Sequence, residues 1–588
     1  MNVAIYDTTL RDGCQAYGFT LSVEDKLRVA QRLDALGFGY IEGGWPGSNP
    51  RDEQFFARAR RQRWRNARLA AFGSTRRPSG GSGSPSGGSG SPSGGSGSPS
   101  GQSGSPGGSA ADDPNLQLLL DAGTPVATIV GKASADQVRR VLGTTPEENL
   151  AMIADSVAFL KGAGREVMFD AEHFFDGYAS DPDYALACLR AAAGAGADWV
   201  VLCDTNGGAL PSAVGAACRH VRQAVDVGLG IHTHNDGELA VANALAAVEA
   251  GAAQVQGTIN GYGERVGNAN LCSIIPNLQL KMGFQCLPDS SMARLTELSR
   301  YVSEVGNAPH SLKLPYVGTE AFAHKAGLHV NAVLKAAENY EHVAPDVVGN
   351  RRRVLISDLS GRSNIQHKLD ELGLSLSPEQ TTQLLRDIKR RENQGMVYED
   401  ADASFELLAL RALGDYTPGF NLLSYSVTTG HRSRPSRVSG SPSGRSASPS
   451  GGSGSAGAEA TVKVRVGREQ VMAAAEGVGP VHALDGALRK ALLEFYPHLS
   501  AVRLIDYKVR IVDAESTTAA RVRVWIQATD GRRIWSTVGA SPNIVSASAT
   551  ALVDSLDYSL LGVAGAEARE RPLRGVRLPL RGAGLLTG

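Results

Sequence analysis

The chain has 588 residues, with 59 Lys+Arg against 59 Asp+Glu, and 42% hydrophobic and 20% charged residues. Balanced charge leaves no net field to draw it to nucleic acid or an acidic membrane, and the composition is that of a soluble globular protein of several domains. No apolar run is long enough to span a bilayer, NVAIYD at the start reads as a strand and not as a signal peptide, and six cysteines without Cys-x-x-Cys spacing point to free thiols in a reducing cytoplasm.

Up to residue 285 one pattern recurs: a short β-branched run ends in polar residues and an Ala/Leu-rich helical stretch follows. The strand candidates are VAIYD, GYIEGG, ARLAAFGS, PVATIVG, EVMFDAEH, DWVVLCDT, GLGIHTHND and AQVQGTING. Gly-Ala turns lead into the sixth and the eighth. Eight alternating βα units predict a closed (β/α)8 TIM barrel over 1–285. A doubly wound open sheet is the alternative, but no Gly-rich phosphate fingerprint follows an early strand. Residues 78–109 and 433–457 are Gly/Ser/Pro tracts that bury almost nothing, and read as disordered inserts.

Residues 286–400 read as a helical connector subdomain. From 402 to 565 the pattern becomes strand-rich, with SFELLAL, NLLSYSV, ATVKVRV, RLIDYKVRIV and RVRVWIQA as strands and two helices between and after them. Both helices are expected to start alike, at Gly479-Pro480 and at Ser541-Pro542, with the first residue as N-cap and proline at the first helical position. The region reads as a duplicated α+β unit. Residues 566–588 are Arg/Pro/Gly-rich and read as a flexible tail.

In such a barrel the chemistry sits at the C-terminal strand ends. Those ends carry Arg11 and Asp12; Glu42; Asp170, Glu172 and His173; Asp204 and Thr205; His232, His234, Asn235 and Asp236; then Asn260, Glu264, Arg265 and Asn268. His232 and His234 are two apart on a strand, hence on one face and roughly 6.5 Å apart. Either they cap a strand end or they converge on a metal ion. Asp12, from another strand end, favours a divalent cation held by two imidazoles and a carboxylate, with open positions for substrate oxygens. Arg11 beside it is a fork for a carboxylate or oxyanion, or one half of a structural ion pair.

DTTLRDG, HTHND and GERVGNANL, in this order on an eightfold barrel, resemble the metal-dependent Claisen-condensing acyltransferases, the family of 2-isopropylmalate, homocitrate and citramalate synthases. IEGGWPGSNPRD, FDAEHFFDGY, DTNGG, QGTINGYGERVGNANLCSIIPNLQLKMG and VGNRRRVLISDLSGRSNI look most like the citramalate synthase branch. The resemblance implies condensation of acetyl-CoA with pyruvate and water to give citramalate and CoA. It implies Asp12, His232, His234 and Asn268 as the surroundings of a Mg²⁺, Mn²⁺ or Zn²⁺ ion. Arg11, Glu42 and Thr205 would bind substrate; Arg11, Glu172, His329 and Tyr340 would take part in catalysis. The last two reach a neighbouring subunit's site in this family, which implies a homodimer. From the residues alone His329 reads equally as a buried structural histidine and Tyr340 as a core aromatic. The C-terminal domain would sense an amino acid, isoleucine or else leucine, with the helix starts as carboxylate sites. The same chemistry on a larger 2-oxo acid, the reverse cleavage of an acyl-CoA lyase, and a weakened regulatory paralogue are the alternatives. Two departures stand out: ASADQVRR at 133–140 lacks the aromatic, Asp and His of the branch, and HNDGEL replaces the usual Ser-Gly after the aspartate.

Overall fold

The computed structural model describes residues 2–79, 109–414, 416–430, 457–513, 517 and 519–570, with side chains to 561. The insert residues 80–108 and 431–456 and the tail beyond 570 lie outside the described residues. The chain divides into two compact units, Met1–Phe322 with Glu341–Arg352, and Ala323–Tyr340 with Arg353–Gly588.

In the first unit β1 (Ala4–Asp7), β2 (Tyr40–Glu42), β3 (Arg68–Ser74), β4 (Val126–Lys132), β5 (Glu166–Glu172), β6 (Trp199–Asp204), β7 (Gly228–Thr233) and β8 (Gln254–Gly257) form a closed parallel barrel in that order. Ring closure decides against the open sheet: β1 pairs with β8 from Ala4↔Gln254 to Asp7↔Gly257. The strands read as nearly continuous apolar runs because both faces are covered, one by the lumen and one by helices. The helix Val23–Leu36 shows how the units are punctuated: Ser22 and Asp25 form a capping box, and Gly37 ends it at φ 89°. On either side of the first insert the chain is tied together, since the Arg77 N–H donates to Asp113 Oδ2 at 2.9 Å and Asn115 Nδ2 to the Ser74 carbonyl at 2.7 Å.

Lumen-facing side chains alternate along each strand. One layer is apolar, with Tyr6, Ala70, Val126 and Met168 in a single cluster. Two residues further along come Thr128 on β4, Asp170 on β5 and Gln256, two beyond Gln254 on β8, all buried. The barrel therefore passes from a mostly apolar layer, in which Gln254 meets Met168, to a polar one toward its C-terminal mouth.

The second unit begins with the strand pair β9 (Ala323–His324) and β10 (Arg353–Val354), followed by the helices Arg362–Leu372 and Pro378–Asn393. SFELLAL, expected as a strand, lies in the helix Asp402–Leu413. It holds no β-branched residue and is built from strong helix formers, which decided its state. Two antiparallel sheets follow: β11 (Asn421–Gly430), β12 (Gly457–Val466) and β13 (Glu469–Gly477), then β14 (Arg503–Ile511), β15 (Val522–Thr529) and β16 (Ile534–Ser541). Each is followed by a helix, Pro480–Leu492 and Ile544–Glu570, and both helices share one apolar core with the sheets. The duplicated sheet-plus-helix unit is present, with a third strand in each half that the pattern did not single out. β13 is alanine-rich and reads as helix by propensity, yet Val471, Ala473 and Ala475 alternate onto the core.

Gly479 caps its helix with Pro480 in the first turn, as expected. Ser541-Pro542 does not repeat the arrangement. Ser541 ends β16, and Asn543 Oδ1 accepts the first helical N–H groups, from Val545 at 2.8 Å and Ser546 at 3.2 Å. Asparagine is the stronger cap, and it moves the start two residues along. The last helix is described as far as Glu570, and the rest of the expected tail lies outside the described residues.

Candidate active site

The site is built from the strand ends upward. Arg11 follows β1 and lies over the Phe72 ring of β3, 3.7 Å from guanidinium carbon to centroid. Its Nε donates to Glu42 Oε1 and its Nη1 to Asp12 Oδ1, both at 2.5 Å. Glu42 is fully buried on β2, and its other oxygen accepts the Tyr6 hydroxyl at 2.7 Å, which also meets Thr128 Oγ1 at 2.7 Å. Sequence reasoning missed Tyr6 and Phe72; their only signal is the alternation that turns them toward a charged strand end.

Burial lowers the Arg11 guanidinium, but Asp12 and Glu42 overcome it and leave it more firmly protonated than usual. Burial would raise Asp12, yet Arg11 and the two imidazoles hold it below the ordinary carboxylate range. At Glu42 burial wins over Arg11, and the carboxyl is pushed up.

Across the lumen, Gln256 Nε2 donates to Asp170 Oδ1 at 3.1 Å, so its Oε1 is left to accept from His232 Nδ1 at 2.9 Å. That contact puts the ring proton on Nδ1 and the lone pair on Nε2. His232 Nε2 faces Asn268 Nδ2 at 3.1 Å and Asp12 Oδ2 at 3.4 Å, and the same amide donates to Asp12 Oδ2 at 3.1 Å. His234 bridges Asn268 through the backbone, and its ring lies 5.3 Å from that of His232. Burial, aided by His232, pushes the His234 imidazole down to about 4, so the ring is neutral at physiological pH.

Asp12, His232, His234 and Asn268 are thus brought together, all at least nine-tenths buried. Two of their atoms, His234 Nδ1 and Asn268 Oδ1, are buried with no hydrogen-bond partner among the described residues. Among the described residues no three His, Cys, Asp or Glu side chains stand as a ready-made cage; Asp12 is turned to Arg11. An ionised carboxylate, a fixed Nδ1–H tautomer, a neutral second imidazole and two orphaned buried atoms nonetheless form a donor set that suits a divalent cation.

The other expected residues fall as follows. The Thr205 hydroxyl accepts the His173 N–H at 2.8 Å, and His173 holds a left-handed backbone at φ 58°. Glu172 ends β5 in an ion pair with Lys132 at the end of β4. Asp236 is taken by a bidentate contact from Arg265, at 2.7 Å on each oxygen. Asp204 accepts from the Gly208 and Ala209 N–H groups and Asn243, and Asn260 anchors to Ser299 and Ser303; both are structural. His329 and Tyr340 belong to the second unit, where their rings lie 4.6 Å apart. Both are exposed, so neither is the buried core residue that the sequence left open.

Residues 2–75 and 109–302 match the HMGL-like family model, 316–396 the homocitrate synthase post-HMGL domain-like model, and 399–560 the LeuA allosteric (dimerisation) domain. An (R)-citramalate synthase of Aquifex aeolicus (strain VF5) is 48% identical, covering 95% of this chain and 98% of its own. The chain belongs to the (R)-citramalate synthase family. The enzyme of that name from Geobacter sulfurreducens is 47% identical over 95% of the chain and 97% of its own length. Against a probable 2-isopropylmalate synthase of Methanopyrus kandleri, identity falls to 31% over 94% and 97%. The resemblance to the citramalate synthase branch thus extends over 95% of the chain.

Proposed function

We propose that the chain condenses acetyl-CoA with pyruvate and water to give (R)-citramalate and CoA. The observation that carries this is the set Arg11, Asp12, His232, His234 and Asn268 at the barrel mouth of a citramalate synthase family member. Asp12, His232, His234 and Asn268 would hold the divalent cation. When bound, it supplies Lewis acidity to the 2-oxo acid.

The chain's own residues do the rest. Arg11, braced by Glu42 and Phe72, keeps a fixed positive charge where negative charge grows on the keto oxygen during carbon–carbon bond formation. Because Thr205 Oγ1 already accepts from His173, its own proton is directed outward to receive the pyruvate carboxylate. Glu172, and the pair His329–Tyr340 supplied across a homodimer, are the groups for removing a proton from the acetyl methyl. Hydrolysis of the citramalyl thioester consumes the water and releases CoA. The LeuA allosteric (dimerisation) match at 399–560 supports a dimer that responds to an amino acid, with isoleucine first and leucine second.

The test is thiol release from acetyl-CoA across a panel of 2-oxo acids, with and without chelator and with isoleucine or leucine added. Pyruvate should be preferred and chelator should stop the reaction. Preference for a branched 2-oxo acid would instead make the chain a 2-isopropylmalate synthase. Insensitivity to chelator would remove the cation from the reading.

A further inference from the structure

Lys132 is the last residue of β4, Glu172 the last of β5, and they are direct register partners. Alternation places both on the lumen face. On β5, Met168 packs in the apolar lumen layer and Asp170 bonds the lumen residue Gln256, so Glu172 belongs to the next layer up. On β4, Val126 packs in that apolar layer and Thr128 meets Tyr6, so Lys132 shares the face two steps on. The Lys132 ammonium is ion-paired with Glu172 Oε2, with the two side chains only 15% and 28% exposed.

The frame beneath the pair is firmly held. The Lys132 carbonyl accepts from Asn149 Nδ2 at 2.9 Å, and Asn149 is fully buried. The Ala133 N–H donates to the Glu172 carbonyl at 2.9 Å, extending the strand pairing past the ion pair. Gly177, in the helix after Glu172, lies so near Ala133 that a Cβ there would come 2.3 Å from its carbonyl oxygen.

We propose that Lys132 is a positioning residue for Glu172, holding its carboxylate in one orientation at the barrel mouth during the condensation. The proposal rests on the reading of Glu172 as a participant in that reaction. A glutamate at a strand end, left to itself, samples several staggered rotamers. An ion pair with a cation carried by the neighbouring strand favours the rotamers that keep the carboxylate beside it. Nothing in the sequence pattern marks Lys132, because the pairing needs β4 and β5 aligned at their ends.

The experiment uses the full-length enzyme with saturating metal and measures CoA release for Lys132→Met, Lys132→Arg, Glu172→Gln and the double variant Lys132→Met/Glu172→Gln. Lys132→Met should lower kcat about 10- to 100-fold, the scale of a reacting group displaced by an ångström or so, with KM for pyruvate nearly unchanged. Lys132→Arg should recover most of the rate. The double variant should be no slower than Glu172→Gln alone, because the lysine acts only through that carboxylate. Wild-type kcat in Lys132→Met, an effect confined to KM, or losses that multiply in the double variant would overturn the proposal. Melting curves guard against loss of fold, and Lys132→Gln carries the same comparison if the methionine variant does not fold. A wild-type chain that releases no CoA with pyruvate, or a Glu172→Gln variant of unchanged kcat, would instead sink the functional reading, and the proposal with it.

Discussion

On the β1–β2 side of the barrel mouth Arg11 lies between Asp12 and Glu42 and stacks on Phe72, whereas on the β7–β8 side His234 Nδ1 and Asn268 Oδ1 are buried with no partner among the described residues. The first side is complete in the protein alone. Its buried charges neutralise one another, and its geometry is set before any substrate arrives. On the second side each orphaned atom costs about 1–3 kcal/mol, an expense that folding does not recover. The contrast separates a preorganised charge, which can stabilise a transition state without rearranging, from a set of donors that awaits a ligand.

The sharpest way to break this contrast is His234→Ala. If the β7–β8 side exists for a cation, CoA release should fall about a thousandfold or more, matching the several kcal/mol of charge stabilisation that a Lewis acid supplies. Melting temperature should stay the same or rise, since an orphaned atom is removed. Wild-type turnover in that variant would show the orphan to be incidental. Next comes Gln256→Met, which cuts His232 from Asp170 while leaving the ring in place. Metal affinity by calorimetric titration should weaken about 10- to 100-fold; unchanged affinity would mean that the tautomer needs no such support.

Asp7 tests the satisfied side from beneath. It is fully buried, and among the described residues its carboxylate accepts hydrogen bonds from the Thr9 N–H at 3.0 Å and the Thr9 hydroxyl at 2.8 Å and has no cation beside it. Burial pushes it up to about 7, against about 3.9 in an unfolded chain. The native state therefore binds the extra proton between these values, and this group's contribution makes stability fall as pH climbs from about 4 to 7. Asp7→Asn keeps the shape and removes the titration. It should match wild type near pH 4 and exceed it near pH 8 by about 2–4 kcal/mol. Parallel stability–pH curves for the two chains would refute the assignment.

The smallest effect is expected at Glu238, in the exposed turn after HTHND, where the branch carries Ser-Gly. Glu238 takes φ 60°, a left-handed conformation that glycine adopts without strain. Glu238→Gly should stabilise the chain by about 0.5–1 kcal/mol in denaturant titrations, once the greater freedom of the unfolded glycine is subtracted. No gain would mean that the turn is held by contacts worth more than its strain.

Much of this was legible beforehand. The eight strands announce themselves because each is a short, mostly apolar run, in most cases β-branched, between helix formers and Gly turns, and HTHND marks its own chemistry because His-x-His on a strand needs no tertiary contact to share a face. SFELLAL was misread as a strand against its own helix propensity, which decided its state, whereas β13 was not singled out because its alanines carry no strand signal and only packing against the core holds it extended. Ser541-Pro542 misled because a cap is decided by whichever side chain reaches the free N–H groups, and Asn543 reaches them.

The amino-acid sequence by itself determined the barrel, the duplicated C-terminal unit and the identity of the strand-end residues, since all of these follow from periodicity and residue type along one segment. The tertiary structure alone decided which of those residues are spoken for. Asp236 is consumed by Arg265 and Asp204 by its own loop, while Gln256, Tyr6, Phe72 and Lys132 were drawn into the site from positions without any local signature. These are contacts between strands far apart in the chain, and their register is set only when the barrel closes.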